Sequence, residues 1–158
     1  MLFRSPLDLL EAYAKLDMPC KCLVMVGDGE LRPCMESFIQ EKGLQSVYLV
    51  GFVNQLSIVN YYAIADVFVL CSGLGETWGL SVNEALNFDL PVVVSDVAGC
   101  SSDLVEPGVN GFVCKSGNIN DLALKLAMAL ELGPIKSKVL DIFSYSTIAG
   151  NFKRMQDM

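Results

Sequence analysis

The sequence predicts a single α/β domain over residues 1–158, a parallel sheet with helices on both faces. Three observations predict it. Short apolar runs alternate with stretches of helical spacing, the runs are apolar at successive positions, and several end in glycine-containing turns. Strands buried on both faces read this way, and strand–helix–strand units close as right-handed parallel crossovers.

The elements follow in order. Leu7 to Leu16 has helical spacing, with Asp8 and Glu11 on the polar side. Lys21 to Val26 is a strand that turns at Gly27-Asp-Gly29. Leu31 to Lys42 is a helix stopped by Gly43, and Val47 to Val50 is a strand ending at Gly51. Tyr61 to Ala65 closes a further helix before the strand Val67 to Leu70. Ser81 to Asn87 is a helix behind a glycine-containing loop, and Pro91 to Val94 is the next strand, followed by a turn at Ala98-Gly99. Gly111 to Cys114 is a short last strand. Asp121 to Leu132 and Thr147 to Met155 complete the pattern as helices. No repeat, low-complexity tract or linker divides the chain. Ligands of such sheets bind beyond the carboxyl ends of strands, which directs attention to the loops 27–30, 51–54, 71–80 and 95–102.

Composition narrows the classes. The chain is 53% hydrophobic with a mean hydropathy of +0.45. Asp66 nevertheless interrupts the longest apolar stretch, Tyr61 to Leu74, and nothing approaches the eighteen apolar residues of a membrane span. The N-terminus lacks the pattern of a signal peptide. A net charge of −7 argues against nucleic acid as a partner, because no basic stripe meets phosphates. The cysteines at 20, 22, 34, 71, 100 and 114 have neither zinc-finger nor redox spacing. They read as reduced and mostly buried thiols, in keeping with a cytoplasmic location.

The chemistry concentrates in the loop after the third strand, where Glu76-Thr-Trp-Gly79-Leu80 runs into the helix carrying Glu84. A glycine at a loop–helix junction lets backbone N–H groups approach an anion, and the helix dipole favours it. A carboxylate one turn further is a poor phosphate ligand but accepts a pair of sugar hydroxyls. Pyrophosphate flanked by polyhydroxy groups describes a nucleotide sugar. Two glutamates at this spacing, taken alone, are ordinarily solvated surface or helix-cap residues. A dinucleotide-binding oxidoreductase needs Gly-x-Gly-x-x-Gly after the first strand, and Gly27-Asp-Gly29 continues instead with Glu30, Leu31 and Arg32.

The flanking residues resemble a known family. Glu76, Glu84-Ala85 and Pro91-Val-Val-Val-Ser95-Asp96 are similar to the Glu-x7-Glu signature and following strand of the retaining glycosyltransferases termed group 1. Gly99, Asp103, Glu106 and Asn110-Gly111-Phe112 continue the match. Upstream, Val26-Gly27-Asp28-Gly29, Gly51-Phe52-Val53 and Tyr62-Ala-x-Ala-Asp66-Val-Phe-Val-Leu70 resemble three further motifs in the same order. Asp89 stands where the family usually has glycine, in a turn that it is expected to strain without touching the ligand.

The resemblance implies a Rossmann-like, GT-B C-terminal donor domain. Glu84 would hold the ribose hydroxyls and Glu76 those of the transferred sugar, as the catalytic residue of the set. Gly79 and Leu80 would meet the diphosphate or sugar through their backbone, Phe52 and Val53 would lie beside the base, and Gly27 and Gly29 would keep the first turn close to the cleft. Trp78 reads as packing. The donor would be a UDP or GDP sugar of hexose type, transferred with retention and without a metal or other cofactor. No Asp-x-Asp pair and no histidine occur in the chain. The implied partners are the nucleotide sugar and an acceptor-binding N-terminal domain or complementary chain, with an acceptor such as a polysaccharide or lipid. Peripheral membrane association of the whole enzyme and self-association of this chain are further expectations. The family's diphosphate-binding cations and its first central strand precede the segment that aligns here, with Arg4 close to the lysine position. A non-catalytic nucleotide-binding or association module derived from such an enzyme is the alternative.

Overall fold

Val92, Val93 and Val94 are all fully buried, so their strand must be covered on both faces. Successive side chains of a strand point to opposite sides. Val92 and Val94 enter one apolar cluster and Val93 the other. The computed structural model, which describes residues 6–73 and 76–136, builds helices over each face. The order is α1 (Pro6–Lys15), β1 (Leu23–Val26), α2 (Arg32–Glu41), β2 (Val47–Gly51), α3 (Gln55–Ile64), β3 (Phe68–Leu70), α4 (Leu80–Leu86), β4 (Val92–Ser95), α5 (Ser101–Leu104), β5 (Gly111–Cys114) and α6 (Ile119–Leu132).

All strand pairs are parallel, as the continuous apolar runs predict. One face packs Val82, Ala85 and Leu86 of α4, Leu104 of α5 and Tyr62 of α3 against β4. The other packs Leu9 and Ala12 of α1 and Leu122, Leu126 and Ala129 of α6 against Val93, Phe112 and Cys114.

The sheet comes in two parts, β1–β2 and β3–β4–β5. Leu23 and Met25 of β1 pack into the same cluster as Val67, Val69 and Cys71 around β3, yet β1 and β3 share no ladder. Val24 and Tyr48 sit opposite each other in the β1–β2 register and are 39% and 57% exposed.

Most elements lie within two residues of the expected positions, and two findings differ from expectation, the extra turn α5 and the exposure of three cysteines. Helix α3, which Tyr61 to Ala65 was expected to close, ends at Ile64 and begins at Gln55, where the Asn54 side chain accepts from Ser57 N–H at 2.9 Å and caps it. The single turn α5 is additional. The six cysteines form no disulfide, but Cys20, Cys22 and Cys34 are exposed; only Cys100 and Cys114 are buried and Cys71 is half-buried. Cys20 and Cys22 lie in the turn and strand entry before Leu23, and Cys34 is on α2, which buries no residue. The helix expected over Thr147 to Met155 lies outside the described residues. No helix among the described residues is long and apolar enough to cross a membrane.

Candidate functional site

Glu84 sits in the second turn of α4, whose N-cap is Gly79 and whose first residue is Leu80. Gly79 adopts φ +99°, a left-handed conformation that favours glycine, and a Cβ there would meet Leu70 Cδ2 at 2.7 Å. The glycine therefore lets α4 start close against the end of β3. It offers no side-chain cap, and its carbonyl accepts from Val82 N–H at 2.9 Å, which closes the first turn. Leu80 is 72% exposed at that mouth.

The Glu84 carboxylate is held. The Tyr62 hydroxyl donates to Oε2 at 2.8 Å, and Tyr62 is itself buried against Phe68 and Phe88. Glu76 is half-buried in the loop leading to α4. The loop is fastened to the turn after β4, where Cys100 N–H donates to the Trp78 carbonyl at 3.0 Å. Gly99 makes that approach feasible: a Cβ on it would lie 2.1 Å from the Thr77 carbonyl oxygen. Burial pushes the Cys100 thiol pKa up, and the nearby Glu76 and Asp103 carboxylates add to the effect. Trp78 packs on the core and donates Nε1–H to Asn83 Oδ1 at 3.0 Å, in agreement with a packing role.

A second group forms at the ends of β1 and β2. Gly27 N–H donates to the Gly51 carbonyl at 2.8 Å, bringing the first turn beside Phe52 and Val53. Phe52 is 84% exposed. Gly29 takes no left-handed conformation, and a Cβ there would meet nothing within 4 Å, so the backbone imposes no glycine at that position. Arg32 also lies here. Its Nε donates to Glu36 Oε1 at 3.0 Å, its Nη2 to the Leu49 carbonyl at 3.1 Å, and Asp28 stands 3.9 Å away. These acceptors balance the cation and direct it to the turn. Arg4 lies outside the described residues.

The structure thus collects Glu76, Gly79, Leu80 and Glu84 at the β3–α4 junction, and Gly27, Phe52 and Val53 at the β1–β2 end. Helix α3 joins the groups, starting directly after Val53 and Asn54 and reaching Glu84 through Tyr62. The expected residues line neither of two hollows found among the described residues. A cavity of about 10 Å³ beside Ser72, Ser95 and Ser116 has room for roughly one water, and an open groove of about 540 Å³ lies between Lys15, Lys115 and the start of α6. Sequence reasoning assigned no role to Tyr62, Gly99 or Arg32. Tyr62 and Gly99 stood inside the quoted motifs, but a motif does not reveal which side chain reaches which.

The chain is similar to known glycosyltransferases in sequence and in fold. The chain is 36% identical over 109 residues, 66% of its length, to the alpha-monoglucosyldiacylglycerol synthase of Acholeplasma laidlawii, and spans 26% of that relative. Among solved structures, the lipopolysaccharide outer core galactosyltransferase WaaB superposes with a TM-score of 0.81 at 21% identity, over 96% of this chain and 44% of that one. Anabaena Alr3699/HepE, solved with UDP and glucose, superposes with a TM-score of 0.77 at 25% identity, over 98% of this chain and 45% of that one. The chain therefore spans less than half the length of these proteins. Residues 5–142 match the family described as Glycosyl transferases group 1, and with most of its length matched the chain belongs to that family.

Proposed function

We propose that residues 1–158 form one donor-binding domain that takes up a nucleoside diphosphate sugar for transfer of a hexose-type sugar, with retention and without a metal. The observation that carries this reading is the Glu84 carboxylate, fixed by Tyr62 one turn inside α4, the helix that starts at Gly79–Leu80 with no side-chain cap. A carboxylate so placed accepts two ribose hydroxyls, while the α4 N-terminus faces the diphosphate that follows. Glu76, on the loop before α4, then accepts hydroxyls of the transferred sugar. Phe52 offers an exposed ring for the base. The UDP and UDP-glucose complexes of Anabaena Alr3699/HepE support a nucleotide sugar as ligand.

Charge development in the transition state falls on the departing diphosphate, and stabilising it is a task for cations. The carboxylates bind and orient the donor; they do not neutralise it. Complete transfer therefore draws on groups beyond those collected at this site. We place the acceptor on a separate domain or chain, the acceptor being a polysaccharide or lipid, and the assembly in the cytoplasm.

Titration of the folded chain with UDP and with GDP tests the reading. Saturable binding of one of them is expected. Absence of binding by both, with a cooperative melt showing that the domain is folded, would leave the association module as the better account.

A further inference from the structure

We propose that Tyr62 is a positioning residue that sets the Glu84 carboxylate for a vicinal diol, so that the site selects ribose-bearing nucleotides before the ligand arrives. The inference rests on the donor-binding reading above.

Tyr62 is 7% exposed and the most buried residue of α3. Its ring stacks on Phe88 at 5.4 Å and 24° and meets Phe68 at 5.8 Å and 52°. Phenylalanine would fill the same space in this apolar cluster. What phenylalanine would lack is the phenol's hydrogen bond to Glu84 Oε2 across 22 positions of sequence. A free glutamate loses its side-chain rotations when it binds, and that ordering is charged against affinity. Here the aromatic clamp fixes the hydroxyl, and the hydroxyl fixes the carboxylate plane. Oε2 keeps further acceptor capacity and Oε1 has no partner among the described residues, so two adjacent acceptor positions remain for two adjacent hydroxyls.

The same helix carries the effect to the other end of the donor. Asn54 caps α3 immediately after Phe52 and Val53, and Tyr62 lies two turns further along. A rigid rod of ten residues, about 15 Å long, thus sets the spacing between base-side loop and ribose clamp.

The test compares Tyr62→Phe with the wild-type chain. Calorimetric titrations use UDP and GDP, each against its 2′,3′-dideoxy form, with thermal melts to confirm folding. The expected result is about a tenfold loss of affinity for the ribonucleotide and an unchanged affinity for the dideoxy form. In the Tyr62→Phe/Glu84→Ala double variant the ribonucleotide should bind no more weakly than in Glu84→Ala alone. An equal loss for both forms shows a merely structural tyrosine and overturns the proposal, as does an unchanged ribonucleotide affinity or full additivity in the double variant. A wild-type chain that binds the ribo and dideoxy forms equally overturns the ribose role of Glu84 itself, and that of Tyr62 with it.

Discussion

Replacing Gly99 by alanine adds one methyl group and touches no side chain assigned to the ligand, yet it should damage both stability and binding. The new Cβ would lie 2.1 Å from the Thr77 carbonyl oxygen, 3.2 Å from its carbon and 3.5 Å from Trp78 Cα. All three are backbone atoms, so no side chain can rotate away. Relief to ordinary contact requires roughly 1 Å of movement in the 76–79 loop, which stretches the Cys100 N–H to Trp78 carbonyl bond of 3.0 Å. Forced displacement of packed structure costs about 1–3 kcal/mol and the lost hydrogen bond about 1 kcal/mol, or about 2–4 kcal/mol together. For a chain of this size that corresponds to a melting temperature lower by roughly 4–15 °C. Because Glu76 and Gly79 ride on the loop, nucleotide-sugar affinity should fall by about tenfold or more in the folded variant. Gly29→Ala is the control, since it meets no atom within 4 Å and should melt within about 2 °C of wild type. Differential scanning calorimetry of both variants decides the matter. A Gly99→Ala protein that melts with the wild type would refute the steric argument.

Asp89→Gly should stabilise the domain by about 0.5–1 kcal/mol, read as a rise of roughly 1–4 °C in Tm, because Asp89 is held at φ +57°. Alkali should destabilise it: burial pushes the Cys114 pKa up to about 12 from the ordinary 9.0. A folded pKa above the unfolded one means stability is complete below about pH 9 and is lost as pH rises toward 12, by up to about 4 kcal/mol. Cys114→Val should flatten that part of the pH–stability curve. Thiol titration with an aromatic disulfide should find Cys20, Cys22 and Cys34 reactive in the native state, with Cys100 and Cys114 reacting only on unfolding.

The sequence announces what is local. Val92–Val94 is apolar at every position, so a strand covered on both faces was readable, and Gly111–Cys114 was placed to the residue. The glycine before α4 and the glutamate one turn into it were likewise visible as a loop–helix junction. Less legible was whatever depends on distant partners. Helix α3 is apolar on several sides, so its start at Gln55 was hidden until the Asn54 cap was seen. Cysteines near apolar runs looked buried, but Cys34 lies on a helix with no covered face and Cys20 in an open turn. The hydrogen bond from Tyr62 to Glu84 spans two elements and needs the fold to exist. Gly99 was quoted as part of a pattern; that it lies against the Thr77 carbonyl belongs to tertiary geometry alone.

The division of labour between the two glutamates is the centre of the account, and one set of titrations addresses it. UDP and UDP-glucose, with GDP and GDP-mannose in parallel, are titrated into wild type, Glu84→Ala and Glu76→Ala, each shown to be folded. Glu84→Ala should weaken the free nucleotide and the sugar nucleotide alike, while Glu76→Ala should weaken the sugar nucleotide and leave the free nucleotide unchanged. Equal losses of free-nucleotide affinity in the two variants would contradict the assignment.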